Sequence, residues 1–413
     1  MKQFSGLDTL MSSNDITTTA SFEAYYKEVL SRMESQGENF EGFEWGQAQL
    51  DFTYEMLQAE RQIEVMASYV DLNSPALPSG KSTKLSVLKG TIPRQKHTIV
   101  QGENDYRKEL IFLNEMRAVA AFNNTNERTT VREYLAKTLF ETVSELPSRH
   151  KTSMNYQIGQ MKSVGAVTLT DANNPRGSVR ATFTAQVPTN NFTEKKWFEK
   201  DTDGTITAVG DPVADLREKI ADIRWGVNGY QNVAVEMNER WFYTKLLKHS
   251  AVQTALGYVM SGLTLRISPS NDKNAAAVAA NVTSHEVLKD AFKQAIGADE
   301  VILNGTQCGV EKIDTTNHDF NRTSIDAFNE DVVLIRPTGT IGVIKNVVPL
   351  RPDGSAITAS LYGGRGLIEY VYDPYTRTQT WRSELTALAV PTRPNDLYYF
   401  KKLTQDKPAS SGS

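Results

Sequence analysis

The stretch SMNYQIGQMKSVGAVTLTDANNPRGSV, residues 153–179, changes its periodicity halfway, and that change constrains the fold more than any other feature. Up to about Lys162 it reads as helix, carrying Tyr156, Ile158 and Met161 without a β-branched run. From Val164 to Leu169 it alternates like a strand, and Asp171-Ala-Asn-Asn-Pro-Arg-Gly177 then supplies a turn before a second strand. A helix that feeds straight into a hairpin must lie beside the sheet it enters, so the chain is expected to be α+β.

Upstream, Val131, Leu135, Leu139, Phe140 and Val143 recur at helical spacing, predicting a helix over about 129–146. Pro147 should end or kink it, or open the next helix at its first turn. Earlier still, residues 1–20 are rich in Ser, Thr and Asn, and helices are expected over 21–36 and 46–68. The second draws on Phe52, Met56, Ile63, Val65 and Met66, too little apolar mass to fold without a surface to lie on.

Residues 73–112 contain Pro75, Pro78 and Pro93 with two short β-like runs. Between positions 81 and 96 stand Lys81, Lys84, Lys89, Arg94 and Lys96 with no acid among them. This reads either as a solvated loop or as a two-stranded arm that lays a basic surface on a neighbouring chain. After a loop over 185–210, the pattern turns α/β. Asp211-Pro212 opens a helix with one face of Val213, Leu216, Ile220 and Ile223, and Val233–Met237 is a buried strand. Asn238 caps NERWFYTKLLKHS, a helix over 284–296 stops at Gly297, and strands follow at 300–303 and 332–336. The last strands fall near 367–373, 377–389 and 397–402. A mixed middle unit therefore interrupts a helix-plus-sheet unit built from both sides of it.

The motifs that could carry chemistry fail one by one. Ser79-Gly80-Lys81-Ser82 lacks the phosphate-loop glycine, having Pro75 in its place. Glu199-Lys-Asp201-Thr-Asp203-Gly204 begins like a calcium loop but has Gly210 where the bidentate glutamate belongs, so it reads as a hairpin turn. Gly363-Gly364-Arg365-Gly366 is too short for a dinucleotide fingerprint. His97, His150, His249, His285 and His318 sit at no metal-ligand spacing, and Cys308, the single cysteine, excludes an intrachain disulfide. With 413 residues, net charge −4 and 23% charged residues, nothing pulls the chain globally toward nucleic acid, and no apolar run reaches membrane length. The expectation is a non-enzymatic structural protein, without cofactor or metal, made in a reducing compartment.

A helix ending in an NYQIGQMKS segment, then strand, Asp171-Ala172-Asn173 turn and strand, resembles the major capsid protein E family of lambda-type tailed phages. That family has an EY-x-x-IG-x-x-KG helix end before a DADG turn; here Asn155-Tyr156 and Lys162-Ser163 stand at its ends. Glu239 to Val252 is similar to the family's aromatic pair, helix and H-P-x-V segment, with Ser250 in place of proline. Trp381 to Pro394 resembles its final QSNPLPLCTRPE run. The resemblance spans about 80–402 and implies the Hong Kong 97 type of capsid fold. It would comprise an N-terminal arm (1–72), an extended β-hairpin loop (73–115) and a peripheral domain with a long spine helix (116–199). An axial α/β domain (200–364), returning peripheral strands (365–404) and a tail (405–413) would complete it. It implies a self-assembling shell of hexamers and pentamers enclosing the double-stranded DNA of a tailed phage, built in the host cytoplasm and held in the virion. Lys84, Lys89, Arg94 and Lys96 are the expected intersubunit contacts. The start at Met1 leads to the expectation of a separate scaffolding protein, beside a portal, a possible decoration protein and loosely held DNA. The alternatives are a cargo-enclosing nanocompartment shell of the same fold and, further off, an α/β enzyme in the 200–340 region.

Overall fold

The structure, a computed structural model, describes residues 40–61, 83–101, 111, 127–225, 232–260, 284–313, 320–349, 357–361, 364–373 and 378–407. The expected extended segment at 1–20, the helix at 21–36, His318, Lys81 and tail residues 408–413 lie outside them, while the start of the expected tail at 405–406 belongs to a strand paired with Phe198–Lys200.

The first described elements are strands: β1 (Phe43–Trp45), β2 (Thr53–Arg61), β3 (Thr83–Thr91) and β4 (Arg94–Gln101). The helix expected over 46–68 is therefore replaced in its described part, 46–61, by irregular backbone and β2. MLQAER is a good helix-forming run, but β3 offers it a full antiparallel partner from Thr53↔Thr91 to Arg61↔Thr83. A non-local ladder outweighs a propensity of a few tenths of a kcal/mol per residue. Tyr54 sits opposite Gly90, where a Cβ would come within 2.8 Å of the tyrosine hydroxyl, so the missing side chain makes room for the ring.

Helix α1 runs unbroken from Glu127 to Ser163 with Pro147 inside it. The proline removes one helical hydrogen bond, yet Leu146, His150, Met154, Ile158 and Met161 are all buried at steps of three and four along one face. That packing fixes the helix from Leu146 onward. The hairpin β5 (Ala166–Thr168) and β6 (Thr182–Thr184) follows as expected. The expected 185–210 loop instead contains β7 (Phe192–Glu194), β8 (Phe198–Lys200) and β9 (Ile206–Ala208). The β8–β9 turn places Gly204 at φ 87°.

Helix α2 (Pro212–Trp225) is capped by Asp211, whose carboxylate accepts from the amides of Val213 and Ala214 at 3.0 and 3.1 Å. Strand β10 (Val233–Asn238) leads into α3 (Glu239–Thr244), capped by Asn238, and then α4 (Ser250–Met260). After α5 (His285–Ile296), Gly297 takes the left-handed conformation expected of a helix stop. The remaining strands are β11 (Glu300–Asn304), β12 (Gln307–Ile313), β13 (Phe320–Asp326), β14 (Val332–Pro337), β15 (Gly342–Asn346), β16 (Ile357–Leu361), β17 (Gly366–Asp373), β18 (Thr378–Pro391), β19 (Tyr398–Lys401) and β20 (Thr404–Asp406).

Two sheets organise the molecule. One runs β1-β15-β18-β17-β16, with β4 on the far edge of β18; the other runs β11-β10-β14-β19-β7. The second sheet separates two cores, and its period-two alternation decides which residue enters which. Val333 and Ile335 of β14 join Val233, Val235 and Met237 of β10 in a core with α2 to α5. Val332 and Leu334 face the other way, into a core with Met154, Ile158 and Met161 of α1 and Leu385 to Val390 of β18. Phe43, Tyr54, Leu88 and Ile92 belong to that same core, so residues 40–54 and the base of the β2–β3 ribbon pack on their own chain.

Candidate functional site

The sequence places four basic residues in the ribbon region, and the acids missing from that stretch arrive from other strands. Lys89 lies opposite Glu55, its Nζ 2.5 Å from the carboxylate, with both side chains about two-thirds exposed. Arg94, at the start of β4, grips both oxygens of Glu384 in β18 through Nε and Nη2. Lys96 reaches the same carboxylate at 3.8 Å while remaining largely exposed. Lys84 pairs with Glu60 in backbone register, and its side chain lies outside the described residues. Arg94 and Lys96 are thus brought together on one acid, and Lys89 is held separately on the ribbon.

A second junction joins the end of α1 to the dividing sheet. Glu236, midway along β10, points away from the α2–α5 core and is fully buried, as are Lys162 and Arg336. Lys162 Nζ lies 3.1 and 3.2 Å from its two oxygens, the Arg336 guanidinium pairs with Oε1, and Asn304 donates to Oε2 at 3.3 Å. Burial by itself would raise the Glu236 carboxyl, but Lys162 and Arg336 outweigh it and hold the group below its ordinary range. Glu41 stands in the field of this cluster with its own carboxyl raised, chiefly by burial. Four segments distant in sequence therefore share one buried charge network.

The motif at the end of α1 has a physical reading residue by residue. Ile158 fills the core. At Gly159 a Cβ would run into the carbonyl of Ala327, so the glycine lets the helix touch backbone. Gln160 donates to that same carbonyl at 2.9 Å. Tyr156 accepts at its hydroxyl from Asn173 Nδ2 at 2.8 Å, and Asn173 also donates to Thr168 O and accepts from the Thr170 amide. The helix thereby anchors the turn that the chain enters after it.

The histidines divide by environment. His249 is buried, bonds Val209 O at 3.0 Å and accepts from the Ala251 amide at the start of α4. His285 stacks on Tyr243. His97 and His150 meet beside Ser383, a pairing that spacing along the chain could not reveal. Cys308 is buried, donates to Thr152 O at 3.5 Å, and has its thiol pushed up to about 11, mainly by burial. Among the described residues no three His, Cys, Asp or Glu side chains gather as a metal site would require. No helix among them is long and apolar enough to cross a membrane.

The sequence signal for the buried network was present in VAVEMN and VVLIRP, where one charge interrupts an apolar strand. The acids that answer the ribbon carried no such signal.

Fold and sites together define an α+β chain with two cores on either side of one sheet, a long helix along one of them and a two-stranded ribbon rooted in it. No family model matches the chain, and no curated protein matches it. Among solved structures it is similar to a phage-related protein from Bordetella bronchiseptica RB50, at 9% identity over 91% of this chain and 97% of that one, TM-score 0.42. It is also similar to the capsid of the cyanophage P-SCSP1u, at 10% identity over 90% and 92%, TM-score 0.37. A virus-like particle from Pyrococcus furiosus is similar at 9% identity over 91% and 97%, TM-score 0.33.

Proposed function

We propose that the chain is a capsid shell subunit, the major capsid protein of a tailed phage, which assembles as hexamers and pentamers around double-stranded DNA. The observation that carries this reading is the β2–β3 ribbon. Nine residues of each strand pair with one another while Tyr54 and Leu88 root the base in the core. Beyond Leu88 the pairs from Leu57↔Val87 to Arg61↔Thr83 carry the ribbon about 15 Å outward at about 3.3 Å per residue, toward a neighbouring copy. The three motifs that resemble the lambda-type family support the same reading. In it, 1–72 is the arm, 73–115 the extended loop, 116–199 and 365–404 the peripheral domain, 200–364 the axial domain and 405–413 the tail, whose first residues continue β20 alongside β8. Shell assembly then sums many contacts of standard size, about 1,600 Å² each in total.

Lys84, Lys89, Arg94 and Lys96 are the residues we assign to contacts between subunits. An exposed pair such as Lys89–Glu55 is weakly held, so a neighbour's acid can replace it. Lys96 keeps most of its charge toward solvent even while touching Glu384. Such charges steer and register a contact more than they strengthen it. A scaffolding protein, a portal, a decoration protein and loosely held DNA complete the set of partners, with assembly in the host cytoplasm.

The test is electron microscopy of the expressed chain, alone and with the products of its neighbouring genes. Closed shells are expected, and K84E/K89E should leave a folded monomer that no longer forms them. Shells filled with an enzyme and lacking a portal would replace the phage by a nanocompartment. A chain that stays monomeric under every condition would end the proposal.

A further inference from the structure

Helix α1, strand β4 and strand β18 converge on two imidazoles. His150 of α1 is 2% exposed, with Nε2 2.9 Å from Ser383 Oγ of β18 and Nδ1 3.4 Å from Gln95 Oε1 of β4. A neutral ring satisfies both, one nitrogen donating and the other accepting, because the serine hydroxyl can do either. His97 of β4 is in direct register with Ser383. Its Nε2 is buried and has no hydrogen-bond partner among the described residues. A neutral His97 leaves only a lone pair unmet there; a protonated one would bury an N–H with nothing to receive it.

The surrounding charges give an imidazolium no refuge. His97 lies in the field of Glu145 and Arg149 from α1, Arg176 from the turn after β5, and Glu311 from β12. Arg94 and Lys96 flank it on β4, and Arg382 and Glu384 flank Ser383 on β18. Every carboxylate in this group already serves cations: Glu311 holds Arg149, Arg176 and Arg322, Glu145 holds Arg149, and Glu384 holds Arg94 and Lys96.

We propose that His97 and His150 form an acid-operated latch, which seats β4 against α1 and β18 while both rings are neutral and releases it when they are protonated. Only Ile92 and Pro93 separate β4 from β3, and Ile92 stays seated in the core, so release of β4 uncovers the edge of β18 beside the root of the ribbon. Burial and the Arg149 charge hold His97 down to about 4, and burial with His97 does the same to His150, so the latch stays closed near neutrality. The latch belongs to the single chain and does not require that the chain assemble.

Hydrogen exchange of the unassembled full-length chain tests it, compared at about pH 7 and about pH 4.5 with intrinsic rates corrected. Amides of 95–101 and 379–386 should exchange roughly tenfold faster in acid while those of α5 and β10 do not change. The H97Q/H150Q double variant should lose that response. Equal protection of β4 at both pH values, or a simultaneous loss throughout the chain, overturns the latch. Should the variant fail to fold, the wild-type protein with isotope-labelled histidines decides. Two imidazoles should stay neutral below about pH 5 and titrate together with the opening of β4. Titration near 6.5 with β4 closed overturns the proposal equally.

Discussion

Lys162 Nζ, in the last turn of α1, lies 3.1 Å from Glu236 Oε2 in the middle of β10, and both side chains are out of water. The pair spans the boundary between the α1 core and the dividing sheet, and Arg336 supplies the second cation. Removing Glu236 leaves two buried cations without their anion, whereas removing Lys162 leaves Glu236 paired with Arg336.

The Glu236→Gln variant should therefore lose about 3–5 kcal/mol of stability, the range for leaving buried charge without its partner. Equilibrium denaturation checks this. A loss under about 1 kcal/mol would mean that water reaches the cluster and screens it. Lys162→Met should cost less, because Arg336 still answers Glu236.

Gly159→Ala should destabilise the chain although alanine favours helix by about 1 kcal/mol. The new Cβ meets the Ala327 carbonyl, which belongs to backbone and cannot rotate away. Separating α1 from that segment should cost about 1–3 kcal/mol beyond the helix gain. A melting temperature at or above that of wild type would show that the contact can relax.

Asn173→Ala removes donors to Tyr156 Oη and Thr168 O and the acceptor for the Thr170 amide. The expected loss is about 1–3 kcal/mol, and Tyr156→Phe should cost about 1 kcal/mol because it deletes a single bond of the set. Calorimetry of both variants and their double mutant should give less than additive losses.

Acid should weaken the fold through His150. Its folded value is depressed to about 4 against 6.5 in the unfolded chain. The unfolded state therefore binds the proton first. Stability is complete above about 6.5 and falls as pH drops toward 4, by on the order of 3 kcal/mol for this ring when unfolding is followed across that window. His150→Gln should flatten that part of the profile. An unchanged slope would assign the acid sensitivity in this window to His97, which is held equally low, since carboxylates such as Glu236 lose their contribution only at lower pH.

Much of this architecture was legible along the chain because its determinants are local. Asp211 and Asn238 cap the helices they precede, Gly297 ends α5, and the Asp203-Gly204 turn joins two strands. The switch from helix to hairpin after Lys162 could be read from periodicity alone, as could the strands of β17 and β18. Capping, left-handed turns and hydrophobic spacing act over a few residues, so one sequence contains both halves of each interaction.

The rest depended on partners brought from far away. Thr53–Arg61 is a strand because Thr83–Thr91 lies alongside it, and α1 continues past Pro147 where Leu146, His150 and Met154 are buried along one face. Glu236 finds Lys162 and Arg336 across 74 and 100 residues, and Arg94 finds Glu384 across 290. The sequence by itself set which segments could be helix or strand and which faces were apolar. Only the tertiary structure decided which charges would neutralise one another, since that choice is made by distance in space and the exclusion of water.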